Sequence, residues 1–528
     1  MYKKRILFIS IFVLAIFFSL SCGKEKPGKT IDITPKPGMD LYGLVCDDKG
    51  NPLKDVVVSD GYSCALTDLD GVYQMKKNKY ATQVNVSLPS GYQVPLRFGI
   101  PHFWEAIISS KKRYDFTLTP LPGGEESSFY LVAMADPQCQ NNAHVGRFKE
   151  ETVPDIAKTV STLTDRPVYG ITLGDIGWAN ATSDYNKNNS IFTQMRASMH
   201  KEKTGVAFFQ VMGNHDNSHA SVLPKAQYTI EGDIANQRDF ENIFGPVNYS
   251  FNRGKAHIIG MDNIIFPNHD DYSLGFRDDQ VEWLKQDLSF VPKDKMVILC
   301  VHIPIVNSAT GKNVQTVLSL LKTYSEFHVF SGHTHYSKNK IYDGWYEHTH
   351  GAACGAWWNS TVNTDGAPNG YAVYSVEGNK ISNWYYKGTG LDKDVQIRLH
   401  RGGLSYMQGY SPSYPFVNDN PNKVFANIWN ADASWEVEVY ENGAKTGNMN
   451  LQPELSKPTD PWSAGYHIGV LKRNAHYKKN NVSHIYEYTL TNSGASEIEI
   501  RAKDGFGNIY TQKAFTGNQT ADYPSVKK

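Results

Sequence analysis

The chain divides into blocks according to the spacing of its hydrophobic positions. Residues 40–120 alternate apolar and polar positions, and turn sequences such as Asp48–Pro52 and Asp68–Gly71 interrupt the alternation. A two-residue period places successive side chains on opposite faces of a strand, and clusters of Gly, Pro, Asn and Asp end strands. This block is therefore predicted to be a small β-sandwich.

The middle block, residues 121–390, alternates strand-like and helix-like segments. The apolar runs of strand length are Phe129–Ala135, Tyr169–Leu173, Ala207–Met212, Ala256–Met261, Met296–Val301 and Phe327–Phe330. The segments with apolar residues three and four positions apart are Val153–Leu163, Gln280–Leu288 and Val314–Tyr324. Alternating strands and helices predict a layered α/β domain, in which functional side chains collect just past the carboxyl ends of the strands.

The last block, residues 391–528, returns to short alternating strands. The predicted strands are Val395–His400, Lys423–Trp429, Trp435–Tyr440, His484–Leu490 and Glu497–Ala502. Turn sequences at Glu441–Gly443 and Asp504–Gly507 separate some of them. We interpret the block as a second all-β module, so that the fold class is an α/β core between two smaller all-β modules.

Composition narrows the function classes. The chain has 53 Lys and Arg against 53 Asp and Glu, and aromatic residues make up 12% of its 528 positions. This balance argues against nucleic-acid binding, which needs a basic surface, and the aromatic content argues against disorder of the bulk. Six cysteines are too few for a disulfide scaffold. Cys46 and Cys64 are interpreted either as a disulfide pair or as two buried thiols.

The N-terminus carries an export signal. Lys3, Lys4 and Arg5 precede the apolar run Ile6–Phe18, which is too short to span a bilayer but suits a signal peptide. The following Ser-Leu-Ser-Cys-Gly sequence resembles a bacterial lipoprotein signal, which implies cleavage after residue 21 and a lipid on Cys22. A plain signal peptide is the alternative. Residues 22–39 are predicted to be a tether, and the protein to lie in the cell envelope, held to a membrane by its N-terminal lipid.

Polar residues follow the predicted strands of the middle block. In chain order they are Asp136 and Gln138, Asp175, Asn214 and His215, His302, and His333 and His335. Carboxylate and amide oxygens mixed with imidazole nitrogens suit first-row divalent metals better than calcium. A pair of ions needs one bridging carboxylate and separate outer ligands, which this set can supply.

These motifs resemble the calcineurin-like metallophosphoesterase family, whose pattern is D-x-H…G-D…G-N-H-[DE]…H…G-H-x-H. The segment around Phe240–Asn263 and the three-part layout are also similar to a bacterial branch of that family, and residues 40–120 resemble prealbumin-like or carboxypeptidase-regulatory-like modules. The resemblance implies a metallophosphoesterase core, a β-sandwich flanked by helices. It implies two divalent ions, either Mn, Fe or Zn, and a phosphorylated small molecule, sugar or lipid as substrate.

Carried over position by position, the resemblance implies a role for each residue of the set. Asp136, Gln138 and His335 would hold the first ion, with Gln138 where the family usually has His. Asp175 would bridge both ions. The second ion would be held by Asn214, His302 and His333. His215 would be the acid that protonates the leaving group.

Other features of the sequence leave alternatives open. Trp357 and Trp358 either stack on a substrate or seal the contact with the C-terminal module. A surface glycan-binding lipoprotein with a structural middle block and a hydrolase of sulfate esters are the competing functions. The remaining histidines of interest are interpreted as structural: His144, His219, His257, His269, His328, His348 and His350.

Overall fold

The computed structural model describes residues 31–178, 185–217, 229–267, 271–305, 310–402, 420–454, 458–479 and 481–515. The predicted signal peptide, Cys22 and the first part of the tether lie outside the described residues. Within the described ranges, no helix is long and apolar enough to cross a membrane.

The N-terminal module consists of two packed sheets and a short ribbon. Its strands are β1 (Leu41–Asp47), β2 (Val57–Ser59), β3 (Cys64–Leu66), β4 (Val72–Met75), β5 (Gln83–Val86), β6 (Leu96–Arg97), β7 (Ile100–Pro101), β8 (Trp104–Ala106) and β9 (Phe116–Leu118). The sheets have the orders β4-β1-β9 and β3-β2-β5-β8, and β6 pairs with β7. Alternate residues of β1 are buried, as its two-residue period predicts.

Cys46 and Cys64 do not form a disulfide, so the disulfide interpretation is wrong. The two thiols lie in different sheets of the module, on β1 and β3. The Cys46 sulfur lies 3.8 Å from the hydroxyl of Thr117. The module is held together by its apolar core instead.

The α/β core holds most of the described helices. Its strands are β10 (Ser128–Met134), β11 (Val168–Thr172), β12 (Phe208–Phe209), β13 (Asn248–Arg253), β14 (Ala256–Met261), β15 (Ile264–Ile265), β16 (Ser273–Leu274), β17 (Met296–Cys300), β18 (Phe327–Ser331), β19 (Lys338–Tyr342), β20 (Trp345–Thr349), β21 (Gly370–Glu377) and β22 (Lys380–Gly388). Its helices are α1 (Asn142–Arg147), α2 (Val153–Thr162), α3 (Tyr185–Ser198), α4 (Lys201–Thr204), α5 (Ile230–Ala235), α6 (Arg238–Phe244), α7 (Asp278–Ser289) and α8 (Val314–Leu321). A π-helical turn at Phe148–Thr152 joins α1 to α2.

Two sheets face each other in the core, with helices on their outer sides. Their orders are β12-β11-β10-β21-β22 and β13-β14-β17-β18-β20-β19. One hydrophobic cluster joins residues of both sheets, such as Leu131 and Ile298, and continues into the N-terminal module. Separate clusters join the outer faces to helices, through Ile156 on one side and Trp283 on the other. The predicted sandwich flanked by helices is therefore confirmed.

The strands that precede the predicted metal ligands run parallel within each sheet. β10, β11 and β12 are parallel neighbours, as are β14, β17, β18 and β20. The predicted run Ala207–Met212 forms a ladder only at Phe208 and Phe209. Beyond them the backbone N–H of Val211 donates to the side-chain hydroxyl of Thr172, at 3.4 Å, instead of continuing the ladder.

The C-terminal module consists of two four-stranded sheets. Its strands are β23 (Ile397–Arg401), β24 (Lys423–Ile428), β25 (Glu436–Glu441), β26 (Ala444–Asn448), β27 (Asn450–Leu451), β28 (Ile485–Thr489), β29 (Glu497–Lys503) and β30 (Ile509–Phe515). Its helical segments are α9 (Pro461–Ala464), a π-helical turn Gly465–Val470 and a 3₁₀ turn Ala475–Tyr477. The sheets have the orders β23-β24-β28-β27 and β26-β25-β29-β30, which confirms the predicted all-β character of this module.

Candidate metal centre

The loops after the parallel strands hold most of the predicted ligands in a strained conformation. Asp136, Gln138, Asp175, His333 and His335 all have positive φ angles, between 38° and 70°. Non-glycine residues rarely adopt this left-handed region, and such strain persists where the surrounding structure enforces it. Five of the seven predicted ligands are among the thirteen such residues that the described chain contains, so backbone strain is concentrated at this site.

Glycines beside the ligands allow the loops to approach closely. A Cβ atom on Gly213 would lie 2.1 Å from the backbone nitrogen of Asp175 and 2.2 Å from its Oδ1. A Cβ atom on Gly332 would lie 2.5 Å from Oδ2 of Asp136. Each of these glycines therefore admits a carboxylate that any larger residue would displace.

Four predicted ligands converge at the ends of β11, β17 and β18 and after β12. The Asn214 Oδ1 atom lies 2.9 Å from both His302 Nε2 and His333 Nδ1, and the two ring nitrogens lie 3.2 Å apart. Oδ2 of Asp175 is 3.3 Å from His302 Nε2. The Nδ1–H of His302 donates to the Leu173 carbonyl at 2.8 Å, which turns Nε2 toward the cluster.

The other predicted ligands lie next to this group. The amide of Gln138 donates to Asp175 Oδ2 at 3.1 Å. His335 Nε2 lies 3.6 Å from Asp136 Oδ1, while its Nδ1–H donates to the carbonyl of Gly355 at 3.0 Å. The Oδ1 atom of Asp136 is fully buried and has no hydrogen-bond partner among the described residues. An unpartnered buried carboxylate oxygen facing an imidazole nitrogen fits a divalent cation.

Burial and mutual charge set the protonation of this cluster. Burial raises the pKa of Asp136 well above its usual range. Burial also opposes the ionisation of Asp175, but the neighbouring His302 outweighs it and lowers the pKa of Asp175. Burial lowers the pKa of His333 to about 3 and that of His335 to about 4, which favours the neutral imidazole that binds metal. Burial opposes the charged form of His302, but Asp175 raises the pKa of His302 to about 9.

His215 lies beside the cluster rather than inside it. Its backbone N–H donates to Asp175 Oδ1 at 2.8 Å. Its ring centroid lies 4.5 Å from that of Trp178, and burial lowers the pKa of the imidazole. The ring also lines the cavity described below, so the structure places it where a bound molecule would contact it.

Asp216 has a role that the sequence did not reveal. Its carboxylate accepts backbone N–H bonds from Gly213, Ile176 and Gly177, at 2.9–3.0 Å. It thereby ties the loop after β11 to the loop that carries His215. Burial raises the pKa of Asp216 to about 7. A carboxylate adjacent to the G-N-H sequence was the available signal, but two of its three partners, Ile176 and Gly177, lie 40 and 39 residues away in the chain.

The loop between β20 and β21 supports His335 and joins it to the C-terminal module. The carbonyl of His335 accepts bonds from the Thr364 backbone N–H and hydroxyl, at 3.2 and 3.0 Å. The ring of His335 stacks on Trp357, with centroids 4.4 Å apart, and Trp357 stacks in turn on His476 of the C-terminal module at 4.8 Å. Trp357 therefore contacts both the centre and the neighbouring module.

Trp358 is in a different environment from Trp357. Only 5% of its surface is exposed, and its indole N–H donates to the Pro137 carbonyl at 2.8 Å. The guanidinium of Arg147 lies 5.1 Å from the Trp358 ring centroid. Trp358 thus packs under the loop that carries Asp136 and Gln138.

A cavity of about 1040 Å³ opens over the centre. The core residues that line it include Asp175, His215, His333 and Trp357. Its remaining wall comes from the C-terminal module, from Asn474 to Lys479.

The histidines interpreted as structural have different surroundings. His144 lines the cavity, which its sequence context did not indicate. His257 bonds Asp287, His328 pairs with His348, and His350 bonds Tyr374. His219 and His269 lie outside the described residues.

Comparisons with protein families match three consecutive parts of the chain. The matching families are described as the N terminal of calcineurin-like phosphoesterase, at residues 39–121, calcineurin-like phosphoesterase, at residues 132–337, and the C terminal of calcineurin-like phosphoesterase, at residues 347–510. The middle match begins just before Asp136 and ends just after His335. A comparison with curated proteins finds no match.

Distant similarity to solved structures is also found. A structure of PhoD is 10% identical, covers 71% of this chain and 83% of its own, and has a TM-score of 0.32. The purple acid phosphatase PPD1 from yellow lupin is 13% identical, with coverage of 63% and 67% and a TM-score of 0.35. A 5'-nucleotidase from Candida albicans is 13% identical, with coverage of 49% and 51% and a TM-score of 0.31; this chain spans about half of its length.

Proposed function

Because this chain belongs to the calcineurin-like phosphoesterase family and is a metal-dependent phosphoesterase, we propose that it is an exported, lipid-anchored enzyme that cleaves phosphoester bonds with two divalent ions. The observation that carries the proposal is the convergence of four predicted ligands. The ligand atoms of Asp175, His302 and His333 all lie within 4.8 Å of one another, and Asn214 Oδ1 lies 2.9 Å from both imidazoles. Asp136, Gln138 and His335 would complete a second group beside them.

The donor set supports Mn, Fe or Zn as the ions. Imidazole nitrogens suit all three, and carboxylate oxygens suit Mn. Bound ions of this kind supply a nucleophile from water at neutral pH and neutralise charge on the phosphoryl oxygens. Asp175 would bridge the two ions, since its carboxylate borders both groups.

The protein's own part in the reaction centres on His215. The backbone N–H bond to Asp175 and the contact with Trp178 fix the position of this imidazole at the cavity wall. We assign it the transfer of a proton to the departing oxygen, which lowers the barrier when the leaving group is a poor one. Trp357 is a further candidate for substrate contact because it is only partly buried and lines the cavity.

His215→Ala should separate good from poor leaving groups. p-Nitrophenolate departs readily without a proton, so kcat on p-nitrophenyl phosphate should fall little. On an alkyl or sugar phosphate, kcat should fall by about 10²- to 10⁴-fold, the usual contribution of general acid catalysis. Steady-state kinetics on both substrates, with metal analysis of the variant, measure the effect.

His144→Ala is the matched control for this substitution, because His144 lines the same cavity and lies outside the predicted ligand set. It should not change the ratio of the two rates. Equal losses on both leaving groups in His215→Ala, with both metals retained, would contradict the role as an acid and indicate contact with the phosphoryl oxygens.

A panel of p-nitrophenyl phosphate, bis-p-nitrophenyl phosphate and p-nitrophenyl sulfate tests the reaction class. Turnover of either phosphate ester and none of the sulfate is the result that the proposal requires. The ratio of the two phosphate rates distinguishes a monoesterase from a diesterase. Faster turnover of the sulfate would assign the centre to the competing reaction.

The anchor is tested through Cys22. Wild-type protein should incorporate labelled palmitate and sediment with membranes, since two or more acyl chains hold a protein stably at a bilayer. Cys22→Ser should lose the label, whereas the control Cys46→Ser, at another free thiol, should retain it. Labelled Cys22→Ser protein would refute the proposed lipid anchor at Cys22.

Protease accessibility of the anchored protein in intact cells then distinguishes the periplasm from the outer surface of the envelope.

A further inference from the structure

The wall that the C-terminal module contributes to the cavity carries two cationic side chains. Lys478 and Lys479 both line the cavity, in the segment that follows the 3₁₀ turn of the C-terminal module. Among the lining residues that the structure describes, the one carboxylate is Asp175, a predicted metal ligand. The part of the cavity lined by the C-terminal module is therefore suited to negative charge.

Lys479 has a defined environment. Its Nζ lies 4.0 Å from the centroid of the Tyr336 ring, and burial lowers the pKa of the amine. Within the described ranges of the chain, no carboxylate forms an ion pair with it. A partly desolvated ammonium gains from a ring face, but it gains more from an anion placed beside it.

The segment is fixed relative to the metal centre. The backbone N–H of Lys479 donates to the Thr364 carbonyl at 2.8 Å, and Thr364 itself bonds the carbonyl of the predicted ligand His335. The hydroxyl of Tyr477 accepts a bond from Asn359 at 3.2 Å. These bonds hold the backbone that carries the cation in place before a ligand arrives, which reduces the entropic cost of binding.

The size of the cavity adds to the argument. At about 1040 Å³ it lies at the upper end of small-molecule sites, so a scissile phosphoryl group occupies only a small part of it. A second group of the same substrate can therefore reach the wall that carries Lys479.

From the placement of Lys479 and the charge of the cavity, we infer that the preferred substrates are organic phosphoesters that carry a second anionic group, bound by Lys479 with support from Lys478. This inference rests on the proposed function. The second group is a phosphate or a carboxylate, and its contact with Lys479 contributes to binding rather than to bond cleavage.

The test compares glucose 1,6-bisphosphate with glucose 6-phosphate, which differ by one phosphate group. Wild-type protein should have the lower KM for the bisphosphate. In Lys479→Met, which keeps the apolar stem, the KM for the bisphosphate should rise by about 10-fold or more, the value of one charge-assisted hydrogen bond. The KM for the monophosphate and both kcat values should stay unchanged, and Lys479→Arg should restore most of the difference.

Lys293→Met is the matched control, since Lys293 also lies over a tyrosine ring, 3.8 Å from the centroid of Tyr324, and does not line the cavity. It should leave both KM values unchanged. Wild-type protein with equal KM values for the two sugars, or Lys479→Met with equal shifts for both, would overturn the inference. Absence of all phosphatase activity would instead contradict the proposed function, so the two failures are distinguishable.

Discussion

Asp175→Asn is expected to cause the largest loss of activity of any single substitution in the metal centre. It removes the negative charge next to both ligand groups, where Oδ2 now accepts from Gln138 and faces His302. Residues that only support metal ligands already contribute about 10- to 100-fold to metal affinity or activity. Loss of a predicted ligand should cost more than that, so we expect kcat on p-nitrophenyl phosphate to fall by more than about 100-fold from the wild-type value. Mass spectrometry should also find fewer than two metal ions per chain.

Asp287→Asn is the matched control for a buried carboxylate. Asp287 is as buried as Asp175, but it bonds Ser250 and His257 away from the centre. It should keep its metal content and kcat, even where its melting temperature falls. Asp175→Asn protein that retains both ions and wild-type kcat would show that Asp175 is not the bridging ligand.

Removal of the metals should abolish turnover reversibly. Dialysis against a chelator leaves the cluster of Asp136, Asp175 and three histidines without the cations that its donor set fits. Metal ions contribute several kilocalories per mole to such reactions, which corresponds to a rate loss on the order of 10³-fold or more. Activity on p-nitrophenyl phosphate, measured before and after dialysis, checks this expectation.

Restoration identifies the ions. Mn²⁺, Fe²⁺ or Zn²⁺ should restore activity up to two equivalents per chain, whereas Ca²⁺ should not, because imidazole is a poor calcium ligand. Circular dichroism of the chelated protein shows whether the fold persists. Full activity in chelated protein shown to be metal-free would refute the assignment of a metal centre.

The positions of the predicted ligands at the ends of strands could be predicted from local patterns. Asp136 follows β10, Asp175 follows β11, and His302 follows β17, each directly after an apolar run that the sequence marks as a strand. Parallel strands end at the same edge of a sheet, so side chains that follow β10 and β11, or β17 and β18, are expected to lie together. The packing of the two sheets then brings both sets to one place. The boundaries of β14 were predicted to the residue, and those of β10 within one.

Other predictions from the sequence were limited by the absence of any local signal. The pairing of Cys46 with Cys64 was left open, because a disulfide depends on Cβ separation and not on composition. The extent of β12 was overestimated, since an apolar run does not show where its neighbour stops pairing. The two tryptophans next to each other in the chain are in different environments, one buried under a loop and the other between two modules.

Only the tertiary structure shows which distant segments support the centre. The bonds of Thr364 to His335, the bond of Lys479 to Thr364 and the position of Asp216 all join residues distant in the chain. Hydrophobic periodicity predicts where strands lie along the chain and which residues follow them, because each depends on a few neighbouring positions. It carries no information on how one module packs on another, and that packing decides which side chains complete the cavity and that Lys479 lines it.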